Sequence, residues 1–366
     1  MKVLVIAPSL KNAGGIQRYT QTLVRALSDE LGPDGSRCVA ISEEAIGDPQ
    51  NGLSPGAKLS FAGHALCEAF AWKPDLVIAT HVAVGPIAQT IAMLARRRYW
   101  IVVHGIESWG TLSTLKRSAL RRANRVIVTN SFNQLQVVQR QGVYYRRTAI
   151  LPCTLDETLL QVEPRNNGYG HRIPRGAPVL LTVGRMAASE RYKGHDVVLR
   201  SLPAVLAKFP AATYVIAGEG DDRPRLERLA NEVQIAERVL FTGKVSDAEL
   251  AALYRRSNVF VLPARTVFDD HAPKGEGFGI VFLEAMAFGK PVIGPNSGAP
   301  AGLIRQGETG LLVDPEDPAC VAEALLQLLA QPRLAEQMGH TGSEWVKANY
   351  SYAHLRQRLS ELIADC

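Results

Sequence analysis

The feature that most constrains this chain is a recurrence of short, wholly apolar runs, each ending in a turn and each followed by a longer helical pattern. Val3-Leu4-Val5-Ile6-Ala7 ends at Pro8, Asp75-Leu76-Val77-Ile78-Ala79 at Thr80-His81, and Trp100-Ile101-Val102-Val103 at His104-Gly105. A strand that is apolar on both faces is covered on both faces, which calls for a parallel sheet flanked by helices. Cys38 to Ile41, Arg125 to Thr129 and Thr148 to Pro152 complete a six-stranded β/α pattern. Periodicity then stops. Residues 153–177 carry Pro164, Asn166-Asn167-Gly168, Gly170, Pro174 and Gly176, the composition of an interdomain connection. The pattern restarts at Val179-Leu180-Leu181-Thr182-Val183 and recurs at Tyr214 to Ala217, Val239 to Thr242, Val259 to Pro263, Pro291 to Gly294 and Gly310 to Val313. At 366 residues the chain is long for one core, and two α/β domains are predicted, over 1–152 and 178–349.

Charge separates the halves. Residues 1–152 hold 18 Lys+Arg and 9 Asp+Glu, a net +9, against 23 and 26, a net −3, in the remainder. The excess lies in Arg96-Arg97-Arg98, in Lys116, Arg117, Arg121, Arg122 and Arg125, and in Arg140, Arg146 and Arg147. Lys116 to Arg122 recur at helical spacing, a cationic face suited to an anionic leaflet or a phosphate-bearing acceptor, or simply to solvent. No nucleic-acid-binding motif accompanies these clusters, so nucleic acid is not expected. No apolar run approaches the ~20 residues of a membrane helix, and the opening run is too short for a signal sequence. A cytoplasmic protein is expected, peripheral on the inner membrane face if the basic surface binds lipid. Cys38, Cys67, Cys153, Cys320 and Cys366 are odd in number and scattered, which suggests neither a disulfide framework nor a zinc site.

The chemistry concentrates at strand ends. Gly14-Gly15 opens the first helix, where Gly15 lets the backbone approach a phosphate; a tight turn wants the same residues. The pair is not a G-x-G-x-x-G fingerprint, which lowers the odds of a nicotinamide-linked enzyme. His81 and His104 stand at the carboxyl ends of two strands, the edge where open α/β sheets bind ligands, with His81 read as structural. Arg185 and Lys193 flank a loop after the first strand of the second half, a fork and a compact charge suited to a diphosphate held without metal. Glycine ends two further strands, at Gly218 and Gly243, with Val245 just beyond. The segment 264–275 holds Asp269-Asp270-His271, whose adjacency does not converge metal ligands, and is read as a lid or specificity loop. No metal is expected.

Most informative is Glu276-Gly277-Phe278-Gly279-Ile280-Val281-Phe282-Leu283-Glu284-Ala285-Met286-Ala287. Two acids with seven residues between them flank a glycine turn that runs into a helical pattern, placing the first on the loop and the second two turns into the helix. The amides of Phe278, Gly279, Ile280 and Val281 then face out of the helix start as a diphosphate site.

This spacing resembles the signature of the retaining family-4 glycosyltransferases, which have two Rossmann-like domains with parallel sheets facing across a cleft (GT-B), and the likeness covers nearly the whole chain. The resemblance implies transfer from a GDP- or UDP-sugar, GDP-mannose among the candidates, to a hydroxyl of a glycan or lipid-linked saccharide in polysaccharide or lipid-linked glycan biosynthesis, with no cofactor. It implies Glu276 on the donor sugar, His104 near the transferred sugar, Arg185, Lys193 and Gly15 on the diphosphate, Glu284 on the ribose, and Gly218 and Val245 at the nucleotide. It also implies a C-terminal helix, within 350–366, packing back on the first domain. The chain departs from the family after Leu151-Pro152, where Cys153-Thr154 replaces the usual Asn-Gly. A nucleotide-sugar epimerase, a sugar-phosphate synthase and a non-catalytic nucleotide-sugar-binding protein fit the same frame.

Overall fold

Each of the twelve apolar runs is a strand, and the strands form two six-stranded, all-parallel sheets. The computed structural model describes residues 1–10, 14–41, 55–164, 173–269 and 272–366. The chain divides into two compact units, Met1–Thr154 with Tyr352–Cys366, and Leu155–Ser351.

In unit 1, β1 (Val3–Ala7), β2 (Ser36–Ala40), β3 (Leu76–Ala79), β4 (Arg98–Val103), β5 (Arg125–Val128) and β6 (Thr148–Ile150) alternate with α1 (Gly15–Leu31), α2 (Pro55–Trp72), α3 (Gly85–Ala95), α4 (Thr114–Arg122) and α5 (Ser131–Gln139). The sheet order is β2-β1-β3-β4-β5-β6. The direction of winding reverses between β1 and β3, and such a reversal opens a crevice at the carboxyl ends of the strands. Leu4, Ile6, Val77, Ile101, Val103, Val126 and Val128 carry the core. The polar stretch read as a loop over Ser42 to Gly56 lies outside the described residues up to 54, and Pro55-Gly56 already belong to α2.

Unit 2 begins with α6 (Thr158–Gln161), whose Leu159 is buried; the Leu160 and Val162 carbonyls accept from the Arg255 guanidinium. Asn166, Asn167, Gly168 and Gly170 of the expected connection lie outside the described residues. The sheet comprises β7 (Val179–Val183), β8 (Thr213–Ala217), β9 (Val239–Gly243), β10 (Val259–Val261), β11 (Val292–Pro295) and β12 (Gly310–Val313). Its helices are α7 (His195–Lys208), α8 (Arg223–Glu232), α9 (Asp247–Arg256), α10 (Ile280–Ala287), α11 (Pro318–Ala330) and α12 (Pro332–Tyr350). The order β12-β11-β10-β7-β8-β9 is that of a dinucleotide-binding sheet, reversing between β7 and β10. α13 (Tyr352–Ala364) belongs to unit 1 and lies along α1.

Candidate active site

Unit 2 gathers charge at its strand-order reversal. β7 runs out through Gly184-Arg185 into a 3-10 segment, Ala188–Lys193, and the connection after β10 carries Glu276. Lys193 Nζ pairs with Glu276 Oε1, and Arg185 pairs with Glu190 Oε1, while Glu190 Oε2 lies 3.8 Å from Lys193 Nζ. Lys193 is 11% exposed and Arg185 74%. Thus Arg185, Lys193 and Glu276 come together, joined by an acid the sequence reading did not single out. Burial, with Glu276 and Glu190 beside it, pushes the Tyr192 phenol far above its ordinary range.

Neighbouring loops hold this segment still. The Met186 amide donates to the Glu219 carbonyl (2.9 Å), and the Ala188 amide to Asp221 Oδ1 (2.8 Å). Arg191 reaches Asp222 at 2.9 Å, and Arg225 reaches it from α8. Burial alone would raise the Asp222 carboxyl, but hydrogen bonds from Arg225 and Arg191 outweigh it and hold the group below its usual range. The loops touch main chain to main chain. A Cβ on Gly218 would fall 2.1 Å from the Gly184 carbonyl oxygen, and the Gly218 amide donates to Gly243 at 3.0 Å. Val245, half-buried, follows two residues later, just before the Ser246 cap of α9.

The helix after Glu276 starts later than expected. Gly279 stands at its N-cap with φ +97°, so α10 begins at Ile280 and Glu284 is its fifth residue, just over one turn in, where two turns were predicted. The first-turn amides of Ile280 and Val281 have no acceptor within the helix, whereas Phe278 lies before the cap with its ring buried. α10 is apolar apart from Glu284, which is 3% exposed and accepts from Tyr254 Oη at 2.8 Å. A carboxylate set into so apolar a helix is costly unless it is hydrogen-bonded and used.

Unit 1 has its own cluster. The His104 ring, at the end of β4, donates from Nε2 to the Thr80 carbonyl at 2.8 Å, because a carbonyl only accepts. Its backbone amide donates to Glu107 Oε1 (2.6 Å), its carbonyl accepts from Asn133 (3.0 Å), and Tyr19 of α1 packs edge-on against its ring at 5.1 Å. His81 Nδ1 accepts from the Ala83 amide, capping a short turn, and its ring stacks on His104. Burial holds the His81 ring below its ordinary range, opposed by Glu107 and reinforced by His104 and Lys116. Gly15 opens α1, one turn before Tyr19. Of 264–275, Asp270 and His271 lie outside the described residues; Val267 and Lys274 bridge that segment by paired backbone hydrogen bonds.

Among the residues that pattern alone left out, Glu190 had a signal, since it lies between the two cations in sequence. Tyr254 had none, standing 30 residues before Glu284.

Two Rossmann-like units, each with its polar cluster at the strand-order reversal, define a two-domain α/β protein of the GT-B fold. Solved structures of that form superpose on the whole chain. The HepE protein of Anabaena in complex with UDP does so with a TM-score of 0.79 at 17% identity, covering 100% of both chains. A sucrose-phosphate synthase from Thermosynechococcus elongatus gives 0.77 at 22%, covering 100% of this chain and 99% of that one. Residues 169–345 match the family described as glycosyl transferases group 1. The GDP-mannose-dependent alpha-(1-6)-phosphatidylinositol monomannoside mannosyltransferase of Mycolicibacterium smegmatis is 30% identical over 291 residues, 77% of this chain and 73% of that protein. This chain belongs to the glycosyl transferases group 1 family.

Proposed function

We propose that the protein transfers a glycosyl group from a nucleoside-diphosphate sugar to an acceptor hydroxyl, with retention at the anomeric carbon and without metal. The observation that carries this reading is the Lys193–Glu276 pair, with Arg185 beside it through Glu190, next to the start of α10. As the glycosidic bond to the donor breaks, negative charge grows on the leaving diphosphate. Arg185, Lys193 and the Ile280 and Val281 amides are placed to stabilise it, a term that often dominates catalysis. Two cations held beside the start of α10 can do what a metal does elsewhere, which supports metal independence. Glu276 binds donor-sugar hydroxyls, and Glu284, oriented by Tyr254, accepts from the ribose. Gly218 and Val245 line the nucleotide. In this reading a leaving-phosphate oxygen takes the acceptor proton on the same face, and Glu276 forms no covalent bond.

The relatives' names favour a GDP-sugar donor, GDP-mannose first, and a lipid-linked saccharide acceptor. Surface chemistry supports a peripheral membrane position. Leu115 of α4 is 71% exposed, and Tyr144 and Tyr145 are 73% and 67% exposed. Arg147 links them, donating to the Arg121 carbonyl and lying over the Tyr144 ring. Apolar and aromatic tips among arginines suit an anionic leaflet. Binding to vesicles should require anionic lipid and weaken with salt, and indifference to both would count against it.

The deciding experiment is calorimetric titration with UDP, GDP and ADP, with and without Mg²⁺. Binding of one nucleotide, independent of Mg²⁺ and weakened in Arg185→Ala or Glu284→Ala, is expected. If none of the three binds, the reading fails. Proton NMR of the product decides retention through the anomeric coupling.

A further inference from the structure

We propose that Glu190 is a positioning residue of the donor site: an internal counter-ion that holds Arg185 and Lys193 ready in the unliganded protein and surrenders Arg185 to the nucleotide's diphosphate. The proposal rests on the donor-site reading above and adds to it a residue and an exchange.

Three observations carry it. First, one largely buried carboxylate serves both cations, Oε1 taking Arg185 and Oε2 facing Lys193 at 3.8 Å. That second distance is too long for a hydrogen bond, and Oε2 is buried without any hydrogen-bond partner. A carboxylate oxygen left in this state is destabilising. Second, the two cations are held unequally. Lys193 is largely buried and also clamped by Glu276, whereas Arg185 is exposed and Glu190 is the acid that holds it. Only Arg185 is therefore free to change partner. Third, the backbone that bears Glu190 is bolted to the 219–222 loop through Met186, Ala188 and Arg191, so the exchange is one of side chains over a fixed frame.

The four groups, Arg185, Lys193, Glu190 and Glu276, sum to zero charge. A diphosphate entering beside two carboxylates is repelled unless a cation moves to it, and Arg185 supplies the fork that phosphate oxygens accept. When the glycosyl group has gone and nucleoside diphosphate remains, the Glu190 carboxylate competes for Arg185 again. It thereby weakens product binding and hastens release.

The test is the dissociation constant for UDP and GDP in the wild type, Glu190→Gln and Glu190→Ala, with steady-state kinetics alongside. Both variants are expected to bind the nucleotide about tenfold more tightly, with kcat and KM falling together as release slows. In an Arg185→Ala background most of that gain should disappear. A Glu190 that merely props up the loop would give weaker binding and a lower melting temperature. Unchanged or weaker binding in both variants, or a full gain persisting without Arg185, overturns the proposal while leaving the donor site standing. A wild type that binds neither nucleotide overturns both.

Discussion

Gly218 and Gly220 sit where no side chain fits. Their φ angles are +151° and +157°, and a Cβ would fall 2.1 Å from the Gly184 and Met186 carbonyl oxygens respectively. The obstacle is main chain and cannot turn aside, so Gly218→Ala should cost about 1–3 kcal/mol in backbone strain alone and abolish nucleotide binding, read by urea unfolding and calorimetry. Lys193→Ala removes one charge-assisted contact and should lower kcat/KM by the equivalent of roughly 1.5–3 kcal/mol; undiminished turnover would refute its role. His195 gives a pH signature. Its ring is buried, and that burial, with Lys193 and Arg225 nearby and Asp222 opposing, pushes it down to about 3 from an ordinary 6.5. The folded protein keeps this ring neutral while the unfolded chain protonates it below about pH 6.5. Its contribution is intact above that pH and is lost as pH falls toward about 3. His195→Asn should therefore flatten the decline of unfolding free energy between pH 7 and 5. At this scale the sequence disclosed the residue types and their strand-end positions. It did not disclose that Glu190 folds back onto both cations, because a 3-10 segment has no hydrophobic period to read, nor that Gly218 is fixed by the Gly184 carbonyl just past β7.

At the scale of elements, the sheets were legible because the inner parallel strands, buried on both faces, read as continuous apolar runs, whereas the edge strands β2 and β6 are only partly buried. The start of α10 was not, since Gly279 in the left-handed region ends the loop later than the glycine turn suggested. What holds α10 in place was equally hidden. α12 passes so close to the turn that follows α10 that a Cβ on Gly339 would lie 1.9 Å from the Gly289 carbonyl oxygen, while Gly342 faces Met286 of α10 itself. Gly339→Ala must push α12 away, and α10 carries both the first-turn amides and Glu284. We expect a loss of about 1–3 kcal/mol, typical of overpacking, together with weaker nucleotide binding, measured on the same samples by calorimetry. A variant that unfolds earlier yet binds normally would separate this packing from the site.

Across the whole molecule, the two units have separate cores, and unit 1 is made of two pieces of chain. α13 packs along α1 and buries Leu355 and Leu359, both 1% exposed. Its polar ties are Tyr352 Oη to Asp29 (2.7 Å), Ser360 Oγ to Glu30 (2.7 Å) and the Arg356–Glu30 pair at 3.5 Å. Burying each leucine contributes about 1.5–3 kcal/mol, so deletion of 352–366 should lower the melting transition of unit 1 and leave that of unit 2 in place, as scanning calorimetry would show. The unequal closure of the units also bears on synthesis. Emerging from the ribosome in order, the chain supplies every residue of unit 2 by Ser351, whereas unit 1 waits for its last helix although its first strand was made earliest. The later-encoded unit is the first that can finish folding, and the earlier one spends translation with the α13-binding side of α1 uncovered.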